Sequence, residues 1–566
     1  VSIALPLAAT RDATRRSPVA AAGQIARLAI GDFRERSRTV GFLVMLVAGV
    51  WSAHIFLPPN HANYSTLQIL DHRAAYSSAY VGTLVAIMTT VFYGAAGFYL
   101  VKDAIERDRR TRVGAILAAT GLSKASYTLA KALSNFLALA SLAAVLAASA
   151  GVLQMVRGED RAFDLIGLLT PFVWITLPYL ALIGSIAVLF EATPWLRGGL
   201  GNIVWFFAWI GTIGQQGFSA GRALSPWRDP TGMHAVMEDL IEATRRFTHA
   251  PPSSDLHMSV GLNIRDTPWD LTTFPWAGFA WTPEFVAPRL FWFAVAIAIA
   301  ALAAIPFDRF DRATIPGLGK RARDARVPAA APGAVQVPAP AAAPLAVPVP
   351  QFGDATRLAS MPATRGFGLL SLVGSELAVA LKGLSKAWFF VAIVAAVVAL
   401  FIPLAGTRGL GALLWIWPIL VWSAFGTREA QSGTAALFDS APRPLSRQLP
   451  ASWLAGVAIA ALATAPVAIR LAMAGESAGA ATWLAGVAFV PAFALACGAL
   501  SGTPRLFEAF YLVLWYAGPV NRVPMLDFGG ASVARGAYRT AFTFAAAAAV
   551  CLVTAHLARR RRMAGK

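Results

Sequence analysis

At least ten stretches of about 18 or more residues carry no Asp, Glu, Lys or Arg, and a run of that length is what one helix needs to cross a hydrocarbon core. Lipid offers no partner to a backbone amide, so a spanning segment must satisfy its own hydrogen bonds, as a helix does. The chain is therefore expected to be an all-α polytopic membrane protein. Hydrophobic residues at 57% against charged residues at 14% lie outside soluble proportions and agree. Candidate spans fall at about 40–57, 79–101, 132–156, 166–190, 198–218 and 288–306, then at about 387–406, 409–427, 451–472, 480–501, 507–520 and 539–558.

Basic residues orient these spans, because cytoplasmic loops retain Lys and Arg in excess. Arg11, Arg15, Arg16, Arg27, Arg34, Arg36 and Arg38 precede the first span, and the loop after it has only Arg73. The next loop is basic again, and the tail at 559–566 opens with four arginines, so both termini are expected on the cytoplasmic side of the membrane. The net charge of +19 is spread over these loops without an aromatic stacking surface, which suits anionic lipid and gives no support to a nucleic-acid partner. Residues 19–38 read as an amphipathic interfacial helix with Ile25, Leu28, Ala29 and Phe33 on one side, rather than as a standard signal peptide. Cys497 and Cys551 both fall inside spans and suit small buried apolar roles.

A collinear repetition divides the chain. Thr193-Pro194 precedes Trp205 as Thr503-Pro504 precedes Trp515, with the same spacing; Arg107-Asp108 before Leu122-Ser123-Lys124 is echoed by Arg428-Glu429 before Leu445-Ser446-Arg447; and Ser37-Arg38 is echoed by Ser385-Lys386. The order is the same in each half, as duplication produces. The expected fold is two tandem six-helix repeats forming a pseudo-dimer, one over 40–306 and one over 374–558. Residues 1–39 precede them, and a Pro/Ala-rich cytoplasmic linker at 307–373 joins them; its prolines at 321–366 favour an extended connection. The insertion at 219–287 holds Trp227, Trp269, Trp276 and Trp281, with a helical stretch near 234–247, and reads as a cap on the outer leaflet, an external gate or a docking surface for a periplasmic partner.

Motifs for self-contained chemistry are missing. Gly317-Leu318-Gly319-Lys320 lacks the spacing and the hydroxyl of a phosphate loop, and the sequence holds neither a His-Glu-x-x-His helix nor a Gly-x-Ser-x-Gly elbow. His54, His61 and His72 around one outer loop match no compact metal spacing, so no metal site is expected. The span cores are nearly free of ionisable groups, with Arg470, His54 and His556 towards span ends, which points to driving energy supplied from outside the spans.

The segment from Glu106 to Lys124 is the most informative short stretch. Arg107, Asp108, Arg109 and Thr111 open it; Val113, Ile116 and Leu117 give it an apolar side; Thr120 leads into Leu122-Ser123-Lys124. Arg428, Glu429, Thr434, Leu437 and Ser440 repeat the plan in the second half. Here the chain resembles the type-2 family of ABC transporter permeases, which carry an acidic/basic pair, a Thr/Gly-hydrophobic turn and then a Thr-Pro-Leu-Ser-basic turn. It departs from that pattern at Gly121, where the family has proline, and by about two extra residues before Leu445.

The resemblance implies a membrane permease subunit of an ATP-driven exporter and no enzyme activity of its own. It implies no cofactor in this chain, with ATP and Mg on a partner ABC ATPase present in two copies. The segments 107–120 and 428–440 would couple to that ATPase. Thr193, Pro194 and Arg197, with Thr503, Pro504 and Arg505, would make secondary contacts, and Arg34, Arg38, Lys382 and Lys386 would lie on connecting helices. It also implies short re-entrant hairpins after Gly217 and at Gly518-Pro519-Val520-Asn521. The scarcity of internal charge suits a hydrophobic or amphipathic cargo. An ion-gradient-driven transporter, and a non-transporting scaffold acting on an envelope partner, are the alternatives.

Overall fold

The computed structural model describes residues 18–310 and 368–564, apart from 61, 121, 161, 216–223, 252–253, 255, 265–267, 309, 383, 385, 402–403, 435–443, 521–522, 524 and 532–537. Residues 311–367 of the expected linker, with Leu437, Ser440, Ser385, Gly121, Gly217 and Asn521, lie outside the described residues. Among those described, seven helices are long and apolar enough to cross a membrane, and the molecule is mostly helical.

The first part runs α1 (Pro18–Ser37), α2 (Val40–Phe56), α3 (Ser78–Val101), the short α4 (Ala104–Arg110) and α5 (Val113–Ala119), and α6 (Lys124–Arg157). Ser77, Thr39 and Ser123 start α3, α2 and α6 by accepting the amides of Tyr80, Phe42 and Ser126, the side-chain capping that fixes a helix start. α7 (Leu165–Pro171) continues through a π-helical turn at Phe172–Thr176 into α8 (Leu177–Ala192), and α9 (Gly199–Gln215) follows. Pro171 and Pro178 lack amide donors on either side of that turn, which is where a helix loosens. α1, α2, α3 and α8 all pack on the long α6.

The expected helical body stands, but the connection after α2 and the 219–287 insertion add a sheet that the all-α expectation did not contain. Strands β1 (Tyr64–Ile69) and β2 (His72–Ala74) follow α2; β3 (Met258–Ile264) and β4 (Thr272–Phe274) come from the 219–287 insertion, and the order is β3-β1-β2-β4. β1 pairs antiparallel with both β2 and β3, and β4 runs parallel to β2. Helix α10 (Met233–Thr248) lays Val236, Met237, Leu240 and Ile241 into a core shared with Leu67, Ile69, Met258 and Phe274. The insertion is therefore half of a folded domain, on the side expected to be outer, whose other half is the 58–77 connection. Arg289, buried in α11 (Pro283–Leu302), ties that domain to the membrane body by donating to the carbonyls of Pro226 and Asp229, each at 2.7 Å.

The second part runs α12 (Leu369–Leu381), α13 (Lys386–Phe401), α14 (Leu404–Ile416), α15 (Ile419–Ser423), α16 (Arg428–Gln431), α17 (Pro444–Met473), α18 (Ser477–Ser501), α19 (Arg505–Trp515) and α20 (Arg539–Ala564). α12, α13 and α14 pack on α17, and α18 packs against α17 and α20. The stretch expected to span at 507–520 is the 11-residue α19 followed by a π-helical turn at Tyr516–Val520. The chain then folds back: Val523 donates its amide to Ala517, and Gly518 sits so close to the Leu526 carbonyl that a side chain would not fit. The parts meet where α19 contacts α9 and α3, and α15 contacts α9.

Candidate coupling face and the junction between the halves

The α4–α5 segment is fixed from within. Arg107 Nη2 lies 2.5 Å from Asp32 Oδ1 on α1, and Lys131 Nζ on α6 reaches the same oxygen at 2.7 Å. Lys131 also pairs with Asp108 at 2.8 Å, whose carboxylate accepts the Tyr127 hydroxyl at 2.7 Å. Arg36 and the Ser134 hydroxyl complete the shell around Asp32. Burial works against a charged carboxyl at Asp32, but Lys131, Arg36 and Arg107 outweigh it and hold it well below the usual carboxylate range. One acid thus clamps α1, α4 and α6 together.

This clamp decides which expected coupling residues are free to meet another protein. Arg107 is mostly covered and Asp108 is buried, while Arg109 pairs with Asp308 at 2.6 Å. Thr111, Val113, Ile116 and Thr120 are exposed, Ile116 at 68%, and Leu117 is half-buried. Arg112 takes a left-handed φ of 61° between α4 and α5 and turns α5 away from the clamp. Arg34, Arg38, Lys382 and Lys386 are exposed.

A second clamp has related parts. Arg428 faces Glu376 on α12 at 3.6 Å, and Glu429 accepts from Gln448 on α17 at 3.1 Å and pairs with Arg559 on α20 at 3.2 Å. Burial pushes the Glu376 carboxyl up, against the pull of Arg428. Thr434 is half-buried.

The Thr-Pro turns lie at the junction between the two parts, with Pro194 exposed and Thr193, Thr503 and Pro504 half-buried. Arg197 donates to the Glu191 carbonyl at 3.1 Å, while Arg505 crosses to Asp103 at 2.8 Å. Lys102 donates to Asn202 Oδ1 at 2.6 Å, and Asn202 donates in turn to Glu508 of the other part. Glu191, 2% exposed, accepts the Ile105 amide at 2.6 Å and so holds the start of α4. Neither Glu191 nor Glu508 has an ion-pair partner among the described residues. The tryptophans that follow each turn behave alike: Trp205 donates to Ala95 of α3 at 3.3 Å and Trp515 to Ala412 of α14 at 2.6 Å.

Sequence reasoning passed over Asp32, Lys131, Glu191, Asn202, Glu376 and Glu508. Glu191 and Glu508 lie near helix ends, where a window for charge-free runs does not register them, Asn202 carries no charge, and Glu376 sits mid-helix in the short stretch ahead of the second half; Asp32 opposite a basic loop was the available signal. Among the described residues no group of His, Cys, Asp and Glu is arranged to hold a metal. Searches against protein-family models, curated proteins and solved structures return no match to this chain.

Proposed function

We propose that this chain is the membrane permease subunit of an ATP-driven exporter, built as two tandem six-helix repeats that pack as a pseudo-dimer. It works in a bacterial inner membrane, both termini cytoplasmic, with two copies of a separate ABC ATPase that bring ATP and Mg. The observation that carries this reading is α5: an exposed apolar turn at Val113 and Ile116 on a segment locked by Asp32 to α1 and α6. A contact that seats on that turn moves α1 and α6 with it, which mechanical coupling requires and a loose basic loop does not supply. Nucleotide-driven movement of the ATPases would then favour one arrangement of the helices through the contacts that differ between states.

The repeat reading is supported by the parallel roles of Trp205 and Trp515, and of the pairs Asp32–Arg107 and Glu376–Arg428. The cargo is hydrophobic or amphipathic and passes between the halves, so the Arg505–Asp103 and Asn202–Glu508 ties close the inner end of its route. A photo-crosslinking residue at Ile116 tests the coupling role. Capture of an ATP-binding protein at Ile116, and not from an outer-domain position such as Leu262, supports it; labelling of lipid alone would remove it.

One feature favours a second reading, a gradient-driven transporter. Glu191 and Glu508 are buried acids without an ion-pair partner, the kind of group that carries ions through a membrane protein. That reading requires flux without nucleotide and its collapse on adding an uncoupler.

A further inference from the structure

The Asp32 clamp fixes α4, but α5, the turn that meets the ATPase in the proposed coupling, needs a support of its own. Gly114 is its one buried residue, while Val113, Ala115, Ile116 and Ala119 are exposed. So short a helix is not stable by itself, and its position is set by what covers Gly114. That cover is the Phe310 ring: a side chain added at Gly114 would meet ring atoms at 2.6 Å. Leu117 of α5 packs into the same apolar cluster as Phe307 and Phe310.

Phe310 belongs to the segment that leaves α11, and this segment is fastened at several points. Phe307 stacks on Tyr127 of α6 with ring centroids 5.0 Å apart, and its carbonyl accepts Lys124 Nζ at 2.7 Å. Phe310 stands edge-on to both rings, 5.6 Å from Tyr127 and 5.2 Å from Phe307. Because the Tyr127 hydroxyl goes to Asp108, the aromatic stack rests directly on the clamp. Asp308 accepts from Arg109 of α4 at 2.6 Å and from Arg197 of the first Thr-Pro turn at 3.4 Å, and it takes the Phe310 amide at 3.3 Å. It thereby joins two segments of the first part that the resemblance places against an ATPase.

The backbone of Phe310 has a φ of 61°, a left-handed conformation that a bulky side chain rarely adopts and that persists only where its surroundings impose it. Here the reward is the ring seated between Gly114 and the stack. In the second part Arg559 of α20 reaches Glu429 at 3.2 Å, so the end of the last helix in each part ties to its own loop, with the charges exchanged. We propose that Phe307, Asp308 and Phe310 form a strap that positions α5 for docking, with Phe310 as the positioning residue. The inference rests on the coupling reading above and adds to it that displacing the strap uncouples the ATPase while every docking residue stays in place.

The test follows hydrogen exchange of the full chain in detergent, and the ATPase retained on the chain affinity-purified from its own membrane, in Phe310→Gly and Gly114→Ala. Glycine is at ease at this φ, so Phe310→Gly removes the ring without straining the backbone. The α5 amides of that variant are expected to exchange about tenfold faster, with α3 and α6 unchanged. Its retained ATPase is expected to fall about fivefold or more, although Val113 and Ile116 are intact. Gly114→Ala drives the ring out from the other side and should also lower retention; added to Phe310→Gly it should bring no further loss, because both act on one contact. Unchanged exchange in α5, full retention by Phe310→Gly beside a parent that holds the ATPase, or two losses that add would each overturn the strap and leave the coupling reading standing. A parent chain that retains no ATPase would overturn both, and is the one result that does.

Discussion

Asp32 and Glu376 lie on the helix ahead of each half and face the arginine of their own half's loop, but in different surroundings. Asp32 has three cations and a hydroxyl; Glu376 has one arginine at 3.6 Å and the neutral partners Ser452 and Gln448. Asp32→Asn should lower the stability of the detergent-solubilised chain by about 3–5 kcal/mol, because it strands buried cations, whereas Glu376→Gln should cost less than about 1 kcal/mol; thermal unfolding of the two variants measures the difference. The pH dependence differs in sign as well. A carboxyl held low, as at Asp32 and Glu159, contributes stability above its unfolded value of about 4, and that contribution is lost as pH falls through the folded value. A carboxyl held high, as at Glu376, contributes below its unfolded value and loses that contribution as pH rises. Hydrogen exchange across an acid titration should therefore show the domain around Glu159 and the α1 clamp each losing protection at low pH, with α12 retained. At the junction, Asp103→Arg and Arg505→Asp should each impair transport, and the double reversal should restore a substantial part of it.

Among the elements, α5 carries the sharpest expectation. Ile116→Glu places a charge on an exposed apolar turn, so it should abolish ATPase association while leaving thermal unfolding within about 0.5 kcal/mol of the parent. The same substitution at a residue of the clamp would confuse the two effects, which is why Arg107 and Asp108 make poorer probes of coupling than their place in the repeated pattern suggested. Helices were legible in the sequence because lipid permits little else: α1 begins at Pro18 where an amphipathic helix was expected from about 19, and α3, α6, α17 and α18 cover the spans expected at about 79–101, 132–156, 451–472 and 480–501. The sheet was not legible, since β2 and β4 are three residues each and join segments 200 positions apart, so no local alternation announces them. Asp229 beside Thr231 and His234 gave a local sign of the start of α10, accepting from both of their amides.

Across the whole molecule, the repeated Thr-Pro turns were visible as spacing, and their meaning as a junction came only from contacts that cross it. Arg505 lies just after its turn and reaches Asp103 of the first part, a pairing about 400 residues distant that sequence spacing does not specify. Two sets of helices packed on α6 and α17 meet along α9 and α19, and the exposed α5 turn belongs to the part whose clamp is the better buried. Under the proposed coupling role, the two segments are expected to contribute unequally to binding an ATPase. The most direct measurement is native mass spectrometry of the chain affinity-purified from its own membrane, with the Ile116→Glu variant alongside. Two copies of one ABC ATPase on the parent chain, and none on the variant, are expected. A parent chain that carries no ATPase, under conditions that keep its lipid bound, would contradict coupling at this face.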